Sequence, residues 1–177
     1  MTRLGAVLEA VHEMCRLDID VGLPFDVFRG RYEQAVPAVD GAALTRLISD
    51  GAGWDEVLRA AAANAPHGFM IYWSFDATPL MGLAGDHLRC VEYLMGNHTI
   101  AERMYRYEPG VMLYAPLRTV IHEDLQGTTW FSVDHPRAAF ASFGDPRVTA
   151  VGAELDRKLA GLLEHLDVPV PGRLLRD

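Results

Sequence analysis

The sequence predicts an α+β fold of two layers, a mainly antiparallel sheet with helices packed on one face. Three observations carry this. The run GFMIYWSFD, residues 68–76, is aromatic and β-branched and opens a strand-rich second half. Further on, TTWFSVDHP follows the turn DLQG as the return strand of a hairpin. Last, Val148, Val151, Leu155, Leu159, Leu162 and Leu166 recur every three or four residues, the stripe of a long amphipathic helix. Strands in the second half flanked by helices make a two-layer domain.

Taken in order, Leu4, Val7, Leu8, Val11 and Cys15 have helical spacing, so a first helix is expected over 3–16. The next stretch holds Pro and Gly connections, with Phe25, Phe28 and Tyr32 on one short helical face. Asp40 is placed to cap a helix over 41–49. GAGWDEVLRAAAANAPHG reads as another helix, with Trp54, Val57, Leu58 and Ala61 on one side and Pro66 and Gly68 ending it. After the strand at 68–76, ATPLMGLAGDH is a connection and LRCVEYLMG a second strand. A short helix follows, then GVMLYAPLRTVIHED as one long strand in which Pro116 argues for an edge position or a bulge. A helix begins at Pro136, and the Pro-broken tail DVPVPGRLLRD packs across the surface. The organisation expected is one domain over 1–177, with a helical extension at 1–50 and an α+β core at 54–166.

The 177 residues suffice for a real core, and half are hydrophobic, as in globular chains. The net charge of -8 argues against nucleic acid and against anionic lipid. No apolar run reaches the roughly 18 residues of a membrane span. The N-terminus makes a poor signal peptide, and Cys15 and Cys90 are too few for a disulfide framework, so a cytoplasmic setting is expected.

The candidate chemistry lies at Gly96-Asn97-His98. Thr99 and Glu102 have capping-box spacing, which gives Glu102 a structural role. His98, Glu102 and Arg106 share a helical stripe, and His98 is a candidate general base. On the long strand, alternation sets Val111, Leu113, Ala115, Leu117 and Ile121 against Met112, Tyr114, Arg118 and His122. The second set, with Asn97 and Arg103 from the corner, supplies the candidate substrate-binding residues: Asn97, Arg103, Tyr114, Arg118 and His122. His98, Tyr114, Arg118 and His122 are expected to converge at the end of the sheet. A metal site would need His98 or His122 plus a further ligand such as His135, and no dedicated metal motif is present. A triad of Ser132, His122 and Asp134 has arbitrary spacing and no nucleophile elbow. Met70, Met81, Met95, Met104 and Met112 suit either an adaptable cavity or core filling.

Gly96-Asn97, Glu108-Pro109, Tyr114-Ala115-Pro116-Leu117 and Ser132-Val133-Asp134-His135-Pro136, over about residues 54–165, resemble the family known as domain of unknown function 302. That resemblance implies a compact α+β domain, often a homodimer, with no agreed activity. The family's usual Pro after Gly-Asn is His98 here, a subgroup feature. Three functions stay open. One is a small-molecule-binding protein, extending to a cofactor-independent lyase, isomerase or hydrolase acting on an apolar or carboxylate-bearing compound. The second is a haem or metal protein using His98 or His122. The third is a non-catalytic homodimeric interaction module.

Overall fold

The computed structural model describes residues 5–176. Among them the strands β1 (Arg16–Asp20), β2 (Met70–Asp76), β3 (Cys90–Gly96), β4 (Leu117–Glu123) and β5 (Thr129–Asp134) form one sheet in the order β1-β5-β4-β3-β2. Every neighbouring pair is antiparallel. The helices are α1 (Phe25–Ala35), α2 (Gly41–Ser49), α3 (Trp54–Asn64), α4 (Thr78–Gly82), α5 (His98–Tyr105), α6 (Pro136–Ala141) and α7 (Pro146–His165). The α+β class read from the sequence is the fold observed. No helix among the described residues is long and apolar enough to cross a membrane.

The core sits between the sheet and the long helices. All six residues of the α7 stripe are buried. They join Val91, Tyr93 and Met95 of β3, Ile121 of β4 and Phe131 of β5 in one cluster. Each fully buried side chain of this size contributes about 1.5–3 kcal/mol. Asp145 caps α7 by accepting the Arg147 N–H at 2.8 Å. Tyr32 of α1 is fully buried, and its hydroxyl lies 2.9 Å from the Thr119 hydroxyl, which satisfies a polar group on the core face of β4. The alternate residues Glu92, Leu94, Arg118, Val120, His122 and Trp130 lie on the outer face and are half-buried or exposed.

Five expectations are corrected. Residues 5–15 are not helical; Val7, Leu8 and Val11 are 87%, 95% and 100% exposed. Their apolar periodicity has no surface to bury against, and most helical stability comes from such burial. Residues 3 and 4 of that expected helix lie outside the described residues. The segment instead leads into β1, where Leu17 and Ile19 are buried opposite Val133 and Phe131, so residues 1–50 include a strand and a core helix of the α+β unit. The long strand expected from Gly110 is interrupted: Pro109–Leu113 is a 3-10 turn, with the Glu108 carboxylate accepting the Gly110 N–H at 2.8 Å. Pro116, which has no N–H for a ladder, immediately precedes β4, a central strand, rather than lying at an edge or in a bulge. Finally, the Thr99/Glu102 capping box does not form, because Asn97 is the cap and Glu102 pairs with Arg106 at 2.6 Å.

One irregularity positions the site. The β2–β3 register shifts between Ile71 and Trp73, leaving Tyr72 as the bulged residue. Met70 and Ile71 are buried before the bulge, whereas Trp73 and Phe75 are exposed after it. The in-and-out alternation of a regular strand therefore breaks at Tyr72.

Candidate functional site

The site is the corner where β3 passes into α5. Gly96 packs against Pro116, and a Cβ at Gly96 would lie 3.1 Å from the proline Cβ and 3.2 Å from its Cα. Asn97 then fixes the start of α5. Its side-chain oxygen accepts the Thr99 N–H at 2.9 Å and the Thr99 hydroxyl at 2.7 Å, and its amide donates to the Gly68 carbonyl at 3.1 Å. His98 is the first residue of the helix, where backbone N–H groups lack intrahelical partners. That N–H donates to the Tyr72 hydroxyl at 2.9 Å. The same hydroxyl lies 2.7 Å from His98 Nδ1. The arrangement that uses all three groups has the phenol oxygen accept the backbone N–H and its one proton go to Nδ1, which assigns the imidazole proton to Nε2. Burial holds the His98 pKa below its ordinary value, which keeps the ring neutral at neutral pH. Burial also pushes the Tyr72 phenol up, so it remains a donor.

A cavity of about 280 Å³ opens beside this pair, lined by Ile100, Met104, Met112, Phe140 and Leu155 along with Tyr72, Asn97 and His98. Its polar groups are nearly all engaged. Asn97 and Tyr72 are used as described, and the Glu102 carboxylate holds the Arg106 guanidinium. Two lining groups are left over: the hydroxyl of the exposed Tyr105, and His98 Nε2, which is buried and has no partner. A buried N–H left unpaired costs about 1–3 kcal/mol, which an acceptor on a ligand would recover.

The expected convergence of His98, Tyr114, Arg118 and His122 does not occur. Only His98 and Asn97 of the candidate residues line this cavity. Arg118 is on the outer sheet face, with its side chain 72% exposed and 3.0 Å from Glu92. His122 Nε2 lies 3.1 Å from the Ser132 hydroxyl in a separate hollow with Arg16, Asp18 and Trp130. There Ser132 donates to Asp18 at 2.6 Å, so it is not backed by His122 as a base and no triad with Asp134 forms. Tyr114, taken off the sheet by the 3-10 turn, meets His12 at 3.1 Å. Arg103 pairs with Glu154 at 2.7 Å. His135 bonds Asp156 at 2.9 Å, away from His98, and no group of three His, Cys, Asp or Glu suited to a metal exists among the described residues. Two methionines, Met104 and Met112, do line the cavity. The residue the sequence did not single out is Tyr72. Its only signal was an aromatic within a strand, and the bulge that aims it at His98 leaves no local mark in the composition.

The family described as Domain of unknown function DUF302 matches residues 49–166. The chain belongs to the DUF302 family. Among solved structures it is similar to the crystal structure of an uncharacterized conserved DUF302 protein from Bacillus stearothermophilus, with a TM-score of 0.61 and 18% identity. The alignment covers 85% of this chain and 97% of that one, a likeness of fold. No curated protein matches the chain. The DUF302 match includes the Gly96-Asn97 corner, the cavity-lining helix α5 and the bulged strand β2.

Proposed function

We propose that this DUF302 protein binds a neutral, largely apolar small molecule bearing an acceptor oxygen, which takes the Nε2–H of His98. The observation that carries the reading is the buried, unpartnered Nε2 of His98, a residue that lines a largely apolar cavity whose other buried polar side chains are paired. The lining residues include no cation, and Glu102 is its one acidic member, so a neutral carbonyl or hydroxyl fits better than a carboxylate. Arg118, the cation among the candidate substrate-binding residues of the strand, is paired with Glu92 on the outer face. The His98–Tyr72 pair also polarises a bound carbonyl, the property a cofactor-independent isomerase or lyase requires. Haem ligation suits the site less well. It needs a bare Nε2, so the imidazole proton would move to Nδ1 and leave the Tyr72 hydroxyl with two incoming donors and its own proton unplaced.

The test is ligand-induced thermal stabilisation by small ketones, esters and alcohols. A ligand at 100 times its Kd stabilises by about 2.7 kcal/mol. For a chain of this size that raises Tm by about 5–10 °C. The shift is expected to vanish in His98→Ala and to persist in Arg118→Ala. If no neutral acceptor compound stabilises the protein, or if His98→Ala binds as the wild type does, the proposal fails.

A further inference from the structure

His98 also borders a second cavity, of about 360 Å³, between α2, α3 and β2. Ala43, Leu44 and Leu47 of α2 line it, with Ala60 and Ala61 of α3 and Met70 of β2. Its polar members are occupied in holding the start of α2. Asp40 accepts the Ala43 N–H at 2.8 Å, while Asn64 accepts the Asp40 N–H at 2.8 Å and donates to the Ala38 carbonyl at 3.1 Å. What remains is an apolar wall. Its shape follows from the sequence, because the alanine run Ala60–Ala63 puts methyl groups where larger side chains would fill the space. On the other side, α2 presents Ala43, Leu44 and Leu47 on one face, yet none of its residues is buried. An amphipathic helix is ordinarily held by burying its apolar face, and here that face borders a cavity instead.

Resting on the binding reading above, we infer that the two cavities are the two arms of one site. The ligand is then a flexible apolar chain whose acceptor oxygen lies within the chain rather than at its end. The oxygen takes His98 Nε2, one arm lies among Met104, Met112 and Phe140, and the other lies under α2 and completes its apolar contact. Internal ketones, secondary alcohols and esters of medium chain length have this form. A terminal acid does not, because its polar end would occupy one of two apolar arms.

Titration calorimetry with three ketones tests this: diethyl ketone, dibutyl ketone and methyl heptyl ketone. The last two have the same carbon count and differ in where the oxygen sits. Each methylene buried tightens binding about fourfold, so dibutyl ketone is expected to bind well over tenfold tighter than diethyl ketone and tighter than methyl heptyl ketone. Ala43→Leu fills the second cavity from a half-buried position. It is expected to remove the advantage of dibutyl ketone while leaving diethyl ketone unchanged. Ala60→Leu serves in its place if circular dichroism shows that Ala43→Leu is unfolded. If diethyl ketone binds through His98 but neither chain length nor the cavity-filling variant alters affinity, the two-armed site is overturned and the single-cavity reading stands. If no ketone binds, both are overturned.

Discussion

Tyr72→Phe isolates the contact on which the site depends. It keeps the ring on the bulge and removes one oxygen. That oxygen makes two hydrogen bonds, to the His98 backbone N–H at 2.9 Å and to Nδ1 at 2.7 Å. A typical hydrogen bond contributes a net 0.5–1.5 kcal/mol, roughly 1–3 kcal/mol for the pair. Tyr72 is half-buried, so water compensates part of the loss and about 1–2 kcal/mol is expected. In a chain of this length that lowers Tm by about 3–6 °C. The second effect is chemical. Without the phenol proton on Nδ1, the imidazole is no longer held in the form that carries its proton on Nε2, and both tautomers become populated. Differential scanning calorimetry reads the first effect, and long-range proton–nitrogen correlation spectra of the His98 ring read the second. A Tm change under about 1 °C together with an unchanged tautomer would falsify the geometry assigned to this pair.

Two further outcomes follow from the same corner. Because burial lowers the folded pKa of His98 below its unfolded value near 6.5, the unfolded chain binds the proton more readily. The His98 contribution is therefore fully present above about pH 6.5 and is lost as pH falls from there through the folded pKa. Tm measured from pH 8 to pH 5 is expected to fall more steeply in the wild type than in His98→Gln. His67, lowered by burial and by His165, affects both proteins alike, so parallel profiles would show that His98 is not the group responsible. Gly96→Ala brings a methyl to 3.1 Å from the Pro116 Cβ and 3.2 Å from its Cα, where a rigid ring leaves little room to give. Overpacking of this kind costs about 1–3 kcal/mol. Chemical denaturation is expected to show that loss, and a midpoint equal to the wild type would mean β4 shifts freely at its start.

The sequence by itself determined much of the scaffold. The stripe of α7, the Asp40 cap, the Asp124–Gly127 turn and the β4–β5 hairpin were legible because each rests on residues close in the chain. The helix corner after Gly96 was also legible, although the cap proved to be Asn97 rather than Thr99. At 3–16 the same local reading overreached, since periodicity specifies a face to bury and says nothing about whether a partner surface exists. Leu17 and Ile19 alternate with Asp18 and Asp20 as a strand should, but only pairing with β5 gave that alternation a sheet to join. The long strand through Tyr114, Pro116 and Arg118 misled in the same way, because a break in backbone geometry at Pro109–Leu113 cancels the facing of everything before it.

The functional corner belongs to the second category. Tyr72 and His98 are 26 residues apart, and what joins them is a one-residue bulge between β2 and β3. Tertiary structure likewise placed Arg118 and His122 away from the cavity and left Nε2 of His98 buried without a partner. Local sequence sets which residues are helical, extended or capped. Strand register is set by the summed packing of distant segments, and a shift of one residue turns a side chain from one face of the sheet to the other.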